Sequence, residues 1–227
     1  MTQAAPARIS PAEKRRVKEI FDRFAATVAD PSTELVYATP FTLLVAVVLS
    51  AQATDVSVNK ATTALYRVAN TPAAMLAMGE AGLTPFIASI GLYRTKARNV
   101  IALSRLLLDL HGGEVPLERD ALQALPGVGR KTASVVLNEL GVSPAIAVDT
   151  HVFRVAHRLK LARGKTPDQV EAELMRLVPA ERRTRAHHWL ILHGRYVCVA
   201  RKPKCAACLV ADLCPSRDLI TGVLAPG

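Results

Sequence analysis

The most distinctive feature of the sequence is a group of four cysteines, Cys198, Cys205, Cys208 and Cys214, in one short segment of a 227-residue chain. The chain has no other cysteine, and buried structural cysteines are normally scattered, so the clustering indicates metal ligation. Only Cys205 and Cys208 form the close pair that is common in zinc sites, and the longer spacings on either side favour a [4Fe–4S] cluster. Zinc is the alternative, and the spacing leaves open whether the metal is structural or redox-active.

The loop between the first two cysteines carries the basic residues Arg201, Lys202 and Lys204. A small loop tied down by a metal and lined with cations is suited to contacting phosphates. The whole chain has 29 Lys and Arg against 19 Asp and Glu, which gives a net charge of +10. Residues 151–227 hold 14 of the basic and 6 of the acidic residues. This asymmetry favours a polyanionic partner, although basic residues also simply solvate helix faces.

A second motif, Leu-Pro-Gly-Val-Gly-Arg-Lys at 125–131, lies between a short apolar helix and an amphipathic one. Gly127 and Gly129 permit a tight turn and the close approach of another backbone. The helix that follows presents N–H groups at its start, where a phosphate can bind without base preference, and Arg130 adds charge. A plain helix–helix turn is the alternative interpretation.

Two residues are candidates for chemistry. Lys131 is predicted in the first turn of that helix, where the helix dipole disfavours a cation and can favour the neutral, nucleophilic amine. An ordinary surface lysine is the alternative interpretation. Asp149 follows a Gly/Pro loop and four apolar residues, in Ala-Ile-Ala-Val-Asp-Thr-His. Asp149 is a good N-cap for the next helix, and it is also a carboxylate that the cap would hold in place and keep ionised.

The elements that must position these residues are predicted to be helices throughout. Five Ser-Pro or Thr-Pro pairs supply a capping hydroxyl and a first-turn proline: Ser10-Pro11, Thr39-Pro40, Thr71-Pro72, Thr84-Pro85 and Thr166-Pro167. Glu13 predicts a capping box with Ser10. Further helices are predicted at 55–69, 94–111, 118–124, 130–140, 150–161 and 182–197. No stretch alternates with period two for long enough to predict a strand.

The predicted class is therefore all-α, with two helical lobes and a ligand cleft between them. We place the lobe that contains the cysteines at 1–39 with 142–227, and the barrel-like lobe with the hairpin at 40–141. No apolar run is long enough to cross a bilayer, and the N-terminal residues have no apolar signal segment. We therefore expect no membrane partner and a cytoplasmic location.

Several motifs in this order resemble the helix-hairpin-helix DNA glycosylases, and among them the endonuclease III family. They are Leu-Pro-Gly-Val-Gly-Arg-Lys-Thr-Ala, the loop that ends Val-Asp-Thr-His, and the Cys-x6-Cys-x2-Cys-x5-Cys segment. Leu-Ser-Ala-Gln-Ala-Thr-Asp at 49–55, Ile-Gly-Leu-Tyr at 90–93 and His-His-Trp-Leu-Ile-Leu-His-Gly-Arg at 187–195 agree with them. The resemblance covers residues 28–215, which is nearly the whole chain.

The resemblance implies a bifunctional enzyme of base excision repair, which removes oxidised pyrimidines such as thymine glycol and then cuts the strand as an abasic-site lyase. It implies that Lys131 attacks the sugar and forms a Schiff base before β-elimination, with Asp149 as its carboxylate partner. Gln52 and Leu92 match the residues that enter the duplex when a base is flipped out, and Leu92 as an ordinary core residue is the alternative. His151 is a candidate pocket or phosphate contact.

The resemblance also implies double-stranded, damaged DNA as the partner of a monomer that associates with the bacterial nucleoid. The hairpin carbonyls are candidates for holding a monovalent cation. A related adenine glycosylase shares the hairpin, the aspartate and the cysteines but lacks the catalytic lysine and has an extra C-terminal domain. Lys131 therefore favours the bifunctional enzyme. The alternative function is a non-catalytic Fe–S module that binds DNA or senses redox state.

Overall fold

A computed structural model describes residues 9–221, which form α-helices joined by turns and contain no β-strand. None of the helices in this range has both the length and the apolar character needed to cross a membrane. The helices are α1 (Pro11–Thr27), α2 (Pro40–Ser50), α3 (Asp55–Leu65), α4 (Pro72–Ile87), α5 (Tyr93–His111), α6 (Arg119–Gln123), α7 (Arg130–Glu139), α8 (Thr150–Arg158), α9 (Pro167–Leu177), α10 (Arg183–Tyr196) and α11 (Arg217–Thr221).

Four of the five predicted hydroxyl-proline helix starts are confirmed. In each, the side-chain oxygen accepts a hydrogen bond from the backbone N–H three residues on, at Ser10, Thr39, Thr71 and Thr166. The fifth is wrong, because Thr84 lies inside α4 and its hydroxyl donates to the Glu80 carbonyl. The break in α4 falls instead at Gly79, whose φ of 67° only glycine adopts easily.

The capping box predicted at the start of α1 is also wrong in part. The Glu13 N–H donates to the Ser10 hydroxyl at 3.1 Å, as a cap requires. The Glu13 carboxylate, however, accepts from the Arg16 guanidinium at 2.6 Å rather than turning back to the Ser10 N–H. A carboxylate forms a stronger hydrogen bond with a charged guanidinium on the same helix face than with a neutral backbone N–H.

Two compact units divide the chain, one formed by residues up to Ser32 and from Ala145 onward, the other by Thr33–Pro144. The first boundary lies seven residues before the one placed on the sequence after residue 39, and the second lies three residues after the one placed after residue 141. In the second unit, α2 is the central element, with every residue from Phe41 to Leu49 buried. A helix that is apolar on all sides must be surrounded, and α3, α5 and α7 pack around it.

The first unit has a separate hydrophobic core. In it α10 packs against α1 and α8, and α8 packs against α9. Phe21 of α1 lies with its ring centroid 6.2 Å from that of Trp189 on α10, and the Trp189 indole N–H donates to the Val28 carbonyl at 2.8 Å. These contacts tie the N-terminal helix to the C-terminal part of the chain, which carries the cysteines.

Candidate nucleic-acid interface and cysteine cluster

The hairpin motif is anchored by its two apolar residues. Leu125 and Val128 are buried in the core of the second unit, and the Val128 N–H donates to the Leu125 carbonyl at 3.1 Å. Gly127 between them has a φ of 78° and is exposed, as is Gly129 at the N-cap of α7. The apolar residues therefore fix a turn whose glycines face solvent.

The two glycines of this turn serve different purposes. A Cβ at Gly127 would lie 2.9 Å from Nδ2 and 3.0 Å from Cβ of Asn99 on α5, so this position has no room for a side chain. A Cβ at Gly129 would meet nothing within 4 Å. Gly127 is thus required for packing, whereas Gly129 keeps the start of α7 open.

Lys131 and Arg130 lie in the first turn of α7, where Lys131 was predicted, and both side chains are exposed. The N-cap residue of α7 offers no side-chain hydrogen bond, because it is Gly129. The first-turn N–H groups of α7 consequently have no capping side chain, which is the arrangement found where helix starts bind anions.

Gln52 and Leu92 are both exposed and both have left-handed backbone conformations, with φ of 54° and 60°. Such conformations cost a non-glycine residue about 1–2 kcal/mol and tend to occur at functional sites. The structure brings the two turns together, since a Cβ at Gly91 would lie 3.8 Å from the Gln52 carbonyl oxygen. Leu92 is 61% exposed, so the alternative that it is a core residue is wrong.

Asp149 is the N-cap of α8, as expected. Its Oδ1 accepts a hydrogen bond of 2.7 Å from the Val152 N–H, and the residues before it, 145–148, are buried. The side chain itself is half-buried. The cap fixes the orientation of the carboxylate at the start of α8.

His151, two residues further on, is half-buried and lies beside Arg154 of the same helix, with its Nδ1 3.1 Å from Nη2. Arginine can only donate, so Nδ1 is the acceptor and the neutral ring carries its proton on Nε2. The Arg154 guanidinium also donates to the carbonyls of Gly194 at 2.8 Å and Cys198 at 3.0 Å. Arg154 therefore connects the start of α8 to the first of the four cysteines.

The four cysteines are all half-buried, form no disulfide with one another, and lie in the segment that follows α10. Burial raises the pKa of the Cys208 thiol, and the charges of Cys198, Cys214 and Cys205 act in the same direction. Four mutually repelling thiolates need a cationic centre, and this donor set fits an iron–sulfur cluster. Among residues 9–221, no three His, Cys, Asp or Glu side chains are gathered around a position for a single metal ion.

Two further side chains contact cysteine sulfur atoms. Arg158 Nη1 lies 3.4 Å from Cys198 Sγ, and His193 Nε2 lies 3.7 Å from Cys208 Sγ. His193 is buried with its ring centroid 5.0 Å from that of Phe24, and burial lowers the pKa of His193 to about 4. Neither residue could be assigned to the cysteines from the sequence, since no spacing rule links a helical histidine or arginine to a particular cysteine sulfur.

The basic loop between the first two cysteines presents its three cations to solvent, as expected: Arg201, Lys202 and Lys204 are exposed. Lys202 has a φ of 52°, and the Lys204 N–H donates to the Val197 carbonyl at 3.0 Å, which fastens the end of the loop to the end of α10.

The far part of the cysteine segment is fastened to α1. Arg16 donates to the carbonyls of Leu159 and Leu213, each at 2.9 Å, and Arg23 donates to the Leu209 carbonyl at 3.0 Å. Arg23 also pairs with Asp212. The N-terminal helix is thus part of the support for the cysteines.

Comparison with known proteins defines the class. The HhH-GPD superfamily of base excision DNA repair proteins matches residues 45–180, a range that includes the hairpin and Asp149. The iron–sulfur binding domain of endonuclease III matches residues 198–214, which are the cysteine segment.

Individual relatives agree along nearly the whole chain. The chain is 56% identical to endonuclease III of Escherichia coli K12 over 207 residues, which is 91% of this chain and 98% of the relative. It is 54% identical to endonuclease III of Haemophilus influenzae, over 89% of this chain and 96% of the relative. A solved structure of a trapped endonuclease III–DNA covalent intermediate matches with a TM-score of 0.86 and 45% identity, over 92% and 98% of the two chains.

The chain therefore belongs to the HhH-GPD superfamily of base excision DNA repair proteins and, within it, to the endonuclease III family. It is an iron–sulfur enzyme that acts on DNA, a DNA glycosylase with abasic-site lyase activity.

Proposed function

We propose that this enzyme removes oxidised pyrimidines such as thymine glycol from double-stranded DNA, and that Lys131 is its nucleophile. The observation that carries the proposal is the position of Lys131, exposed in the first turn of α7 directly after the Leu-Pro-Gly-Val-Gly turn. An amine that is accessible next to a phosphate-binding helix start can reach the sugar of a bound nucleotide. The relative described as a trapped covalent intermediate supports an enzyme-linked step.

The reaction assigns the bonds as follows. The Lys131 amine attacks the sugar C1′ and forms a bond to it, while the glycosidic bond between C1′ and the base nitrogen breaks and the damaged base leaves with a proton. The lysine nitrogen then loses its protons and the sugar ring opens, so that the bond between C1′ and the lysine nitrogen becomes a Schiff base. Removal of a C2′ proton then expels the 3′ phosphate by β-elimination, and water hydrolyses the Schiff base to regenerate the lysine.

Asp149 supplies the negative charge in this reaction. Its carboxylate is held by the Val152 N–H through Oδ1, and we propose that it accepts a proton from the amine or stabilises the cationic sugar. A fixed carboxylate needs no reorganisation when the positive charge develops, so the cap and the catalytic role reinforce each other.

Gln52 and Leu92 are proposed to enter the duplex. The lesion must leave the base stack before its C1′ is accessible, and the emptied space must be filled. Two exposed side chains on adjoining, strained turns are suited to this, with the polar one filling the vacated position and the apolar one wedging the opposite strand.

The phosphate backbone is proposed to bind at two basic surfaces. One is the hairpin, where Gly127, Gly129 and Arg130 present backbone and charge, and where carbonyls are suited to hold a monovalent cation. The other is the basic loop of Arg201, Lys202 and Lys204, with His151 as a further candidate contact in its unit. Contacts of this kind predict a steep loss of binding with salt.

Cys198, Cys205, Cys208 and Cys214 are proposed as the ligands of a [4Fe–4S] cluster. When bound, the cluster supplies four iron–thiolate bonds that hold the segment and its basic loop in shape. Replacing Cys205 by alanine should lower the iron content per chain, and retention of a full complement of iron would contradict this ligand set. We expect the enzyme to act as a monomer in the cytoplasm, on the DNA of the nucleoid.

Borohydride trapping tests the proposed chemistry. The protein is incubated with a duplex that holds one thymine glycol, and the hydride reduces a Schiff base to a stable amine that is visible as a protein–DNA adduct on a denaturing gel. The wild type should form this adduct. Lys131→Gln should form none while it still binds the duplex.

Lys14→Gln is the matched control, because Lys14 is an exposed lysine in the first turn of another helix, α1. Trapping on an abasic-site duplex but not on thymine glycol would reject the substrate class and keep the lyase step. Binding of both duplexes with no adduct on either would reject the Lys131 mechanism and favour the non-catalytic module.

A further inference from the structure

Two hydrogen-bond donors in the first unit are directed at cysteine sulfur atoms and have no part in the chemistry proposed above. They are Arg158 at the end of α8 and His193 in α10, with N···S distances of 3.4 Å to Cys198 and 3.7 Å to Cys208. Both distances are in the range of N–H···S hydrogen bonds. Among residues 9–221, no comparable side-chain donor is directed at Cys205.

We propose that Arg158 and His193 are positioning residues that donate hydrogen bonds to the Cys198 and Cys208 thiolates and thereby set the reduction potential of the iron–sulfur cluster. This inference rests on the proposed ligation by the four cysteines. The inference concerns the electron affinity of the cluster and not the excision of the base.

The direction of both hydrogen bonds is fixed by chemistry. A guanidinium only donates and a metal-bound thiolate only accepts, so Arg158 is the donor to Cys198. The same acceptor selects the His193 tautomer that carries its proton on Nε2. The two bonds therefore place partial positive charge against two of the four sulfurs.

Both donors are held rigidly, so these contacts are not incidental. Arg158 also donates to the carbonyls of Val199 at 2.7 Å and Ala200 at 3.0 Å, which fixes the plane of its guanidinium. His193 is buried against Phe24, and its own carbonyl accepts the Cys198 N–H at 2.7 Å. His193 therefore contacts two of the four cysteines, one through its ring and one through its backbone.

The effect on potential follows from the charge. Reduction adds one electron, and much of the added negative charge falls on the sulfurs, where N–H donors stabilise it. The donors therefore raise the reduction potential, and removing one should lower it. A tenfold shift of the equilibrium between the two oxidation states is 59 mV for a one-electron couple.

The experiment measures the midpoint potential of the iron-loaded, full-length protein by voltammetry, with iron content determined on each sample. His193→Gln and His193→Asn form the matched pair. The Gln amide reaches the position of Nε2, whereas the Asn amide stops near that of Nδ1. We expect the potential of the Gln variant to match the wild type, and that of the Asn variant to fall by a shift on the order of tenfold, about 59 mV.

Arg158→Lys keeps the charge but loses the fork that fixes the donor, and it should also lower the potential. Arg163→Gln, an exposed arginine of the same unit, is the charge control and should leave the potential unchanged. Equal potentials in the Gln and Asn variants, both with full iron, would overturn the role of His193. An unshifted Arg158→Lys potential would overturn that of Arg158. Iron-free wild-type protein would instead contradict the proposed cluster ligation.

Discussion

The two glycines of the hairpin offer a sharp test, because replacing each by alanine should have opposite consequences. At Gly127 an alanine must adopt a φ of 78°, which costs about 1–2 kcal/mol. Its Cβ would also lie 2.9 Å from Nδ2 and 3.0 Å from Cβ of Asn99, and relieving such an overlap in a packed region costs about 1–3 kcal/mol. We therefore expect Gly127→Ala to lower the free energy of unfolding by about 3 kcal/mol.

At Gly129 neither cost applies. The backbone there has a φ of −86°, and a Cβ would meet nothing within 4 Å. Gly129→Ala should leave the free energy of unfolding within about 0.5 kcal/mol of the wild type or raise it slightly, because alanine restricts the unfolded chain. In the proposed complex, however, that Cβ would stand where the phosphate approaches the start of α7, so DNA binding should weaken.

Urea denaturation and binding to a lesion-containing duplex measure the two effects separately. A loss of about 3 kcal/mol corresponds to a fall of ~6–12 °C in Tm for a protein of this size. Adding Asn99→Ala to Gly127→Ala removes Nδ2 and Cγ and should recover part of the loss. Equal unfolding free energies for Gly127→Ala and Gly129→Ala would refute the reasoning, as would a double variant no more stable than Gly127→Ala.

Three further predictions concern a buried amine, the wedge and the carboxylate. Lys96 is 4% exposed, its Nζ has no hydrogen-bond partner among residues 9–221, and burial lowers its pKa, so Lys96→Met should raise the free energy of unfolding by about 1–3 kcal/mol. Because the unfolded chain binds the Lys96 proton more tightly than the folded chain does, the free energy of unfolding of the wild type should rise as the pH rises toward 10.5. Urea titrations of both proteins should therefore show the extra stability of Lys96→Met shrinking over this range, and a stability gain that does not change with pH would contradict the reasoning. Leu92→Gly removes the side chain from a left-handed backbone position and should change the free energy of unfolding by less than about 1 kcal/mol. The rate of base excision in a glycosylase assay should nevertheless fall at least about tenfold, the scale of one lost apolar contact. Leu110→Ala, which changes an exposed leucine near the other end of α5, is the control and should retain full activity. Asp149→Asn keeps an acceptor for the Val152 N–H and should lose strand cutting at wild-type stability, whereas Asp149→Ala should also lose about 1 kcal/mol in thermal unfolding; strand cutting by Asp149→Asn at the wild-type rate would rule out the role of the carboxylate.

Much of the local structure was predictable because it depends on residues close together in sequence. A hydroxyl that caps the N–H three residues on is a local event, and four of the five predicted starts are correct for that reason. Thr84-Pro85 failed because the chain was already helical from Glu80 onward, so the hydroxyl bonds back to a carbonyl instead of capping. Local chemistry predicts where a helix can begin, and not whether an earlier start has already been used.

Helix α5 shows where pattern alone was insufficient. Ala97, Val100 and Leu107 are spaced at a helical period, and all three are buried. The same period gave no reason to bury Lys96, whose charge predicts exposure. The burial of Lys96 comes from the tertiary packing around α5, which covers a wider face of the helix than its apolar residues alone define.

By itself, the sequence determined the all-helical class, the glycine turn before α7, the lysine that follows it and the four clustered cysteines, since each depends on residue type and short spacing. Only the tertiary structure decided that Gly127 is needed for the approach of Asn99, and that the turns of Gln52 and Leu92 adjoin. It also decided that Arg158 and His193 lie within hydrogen-bonding distance of cysteine sulfurs. Contacts between residues far apart in the chain depend on how whole helices pack, and local sequence patterns do not predict which of these residues come close together.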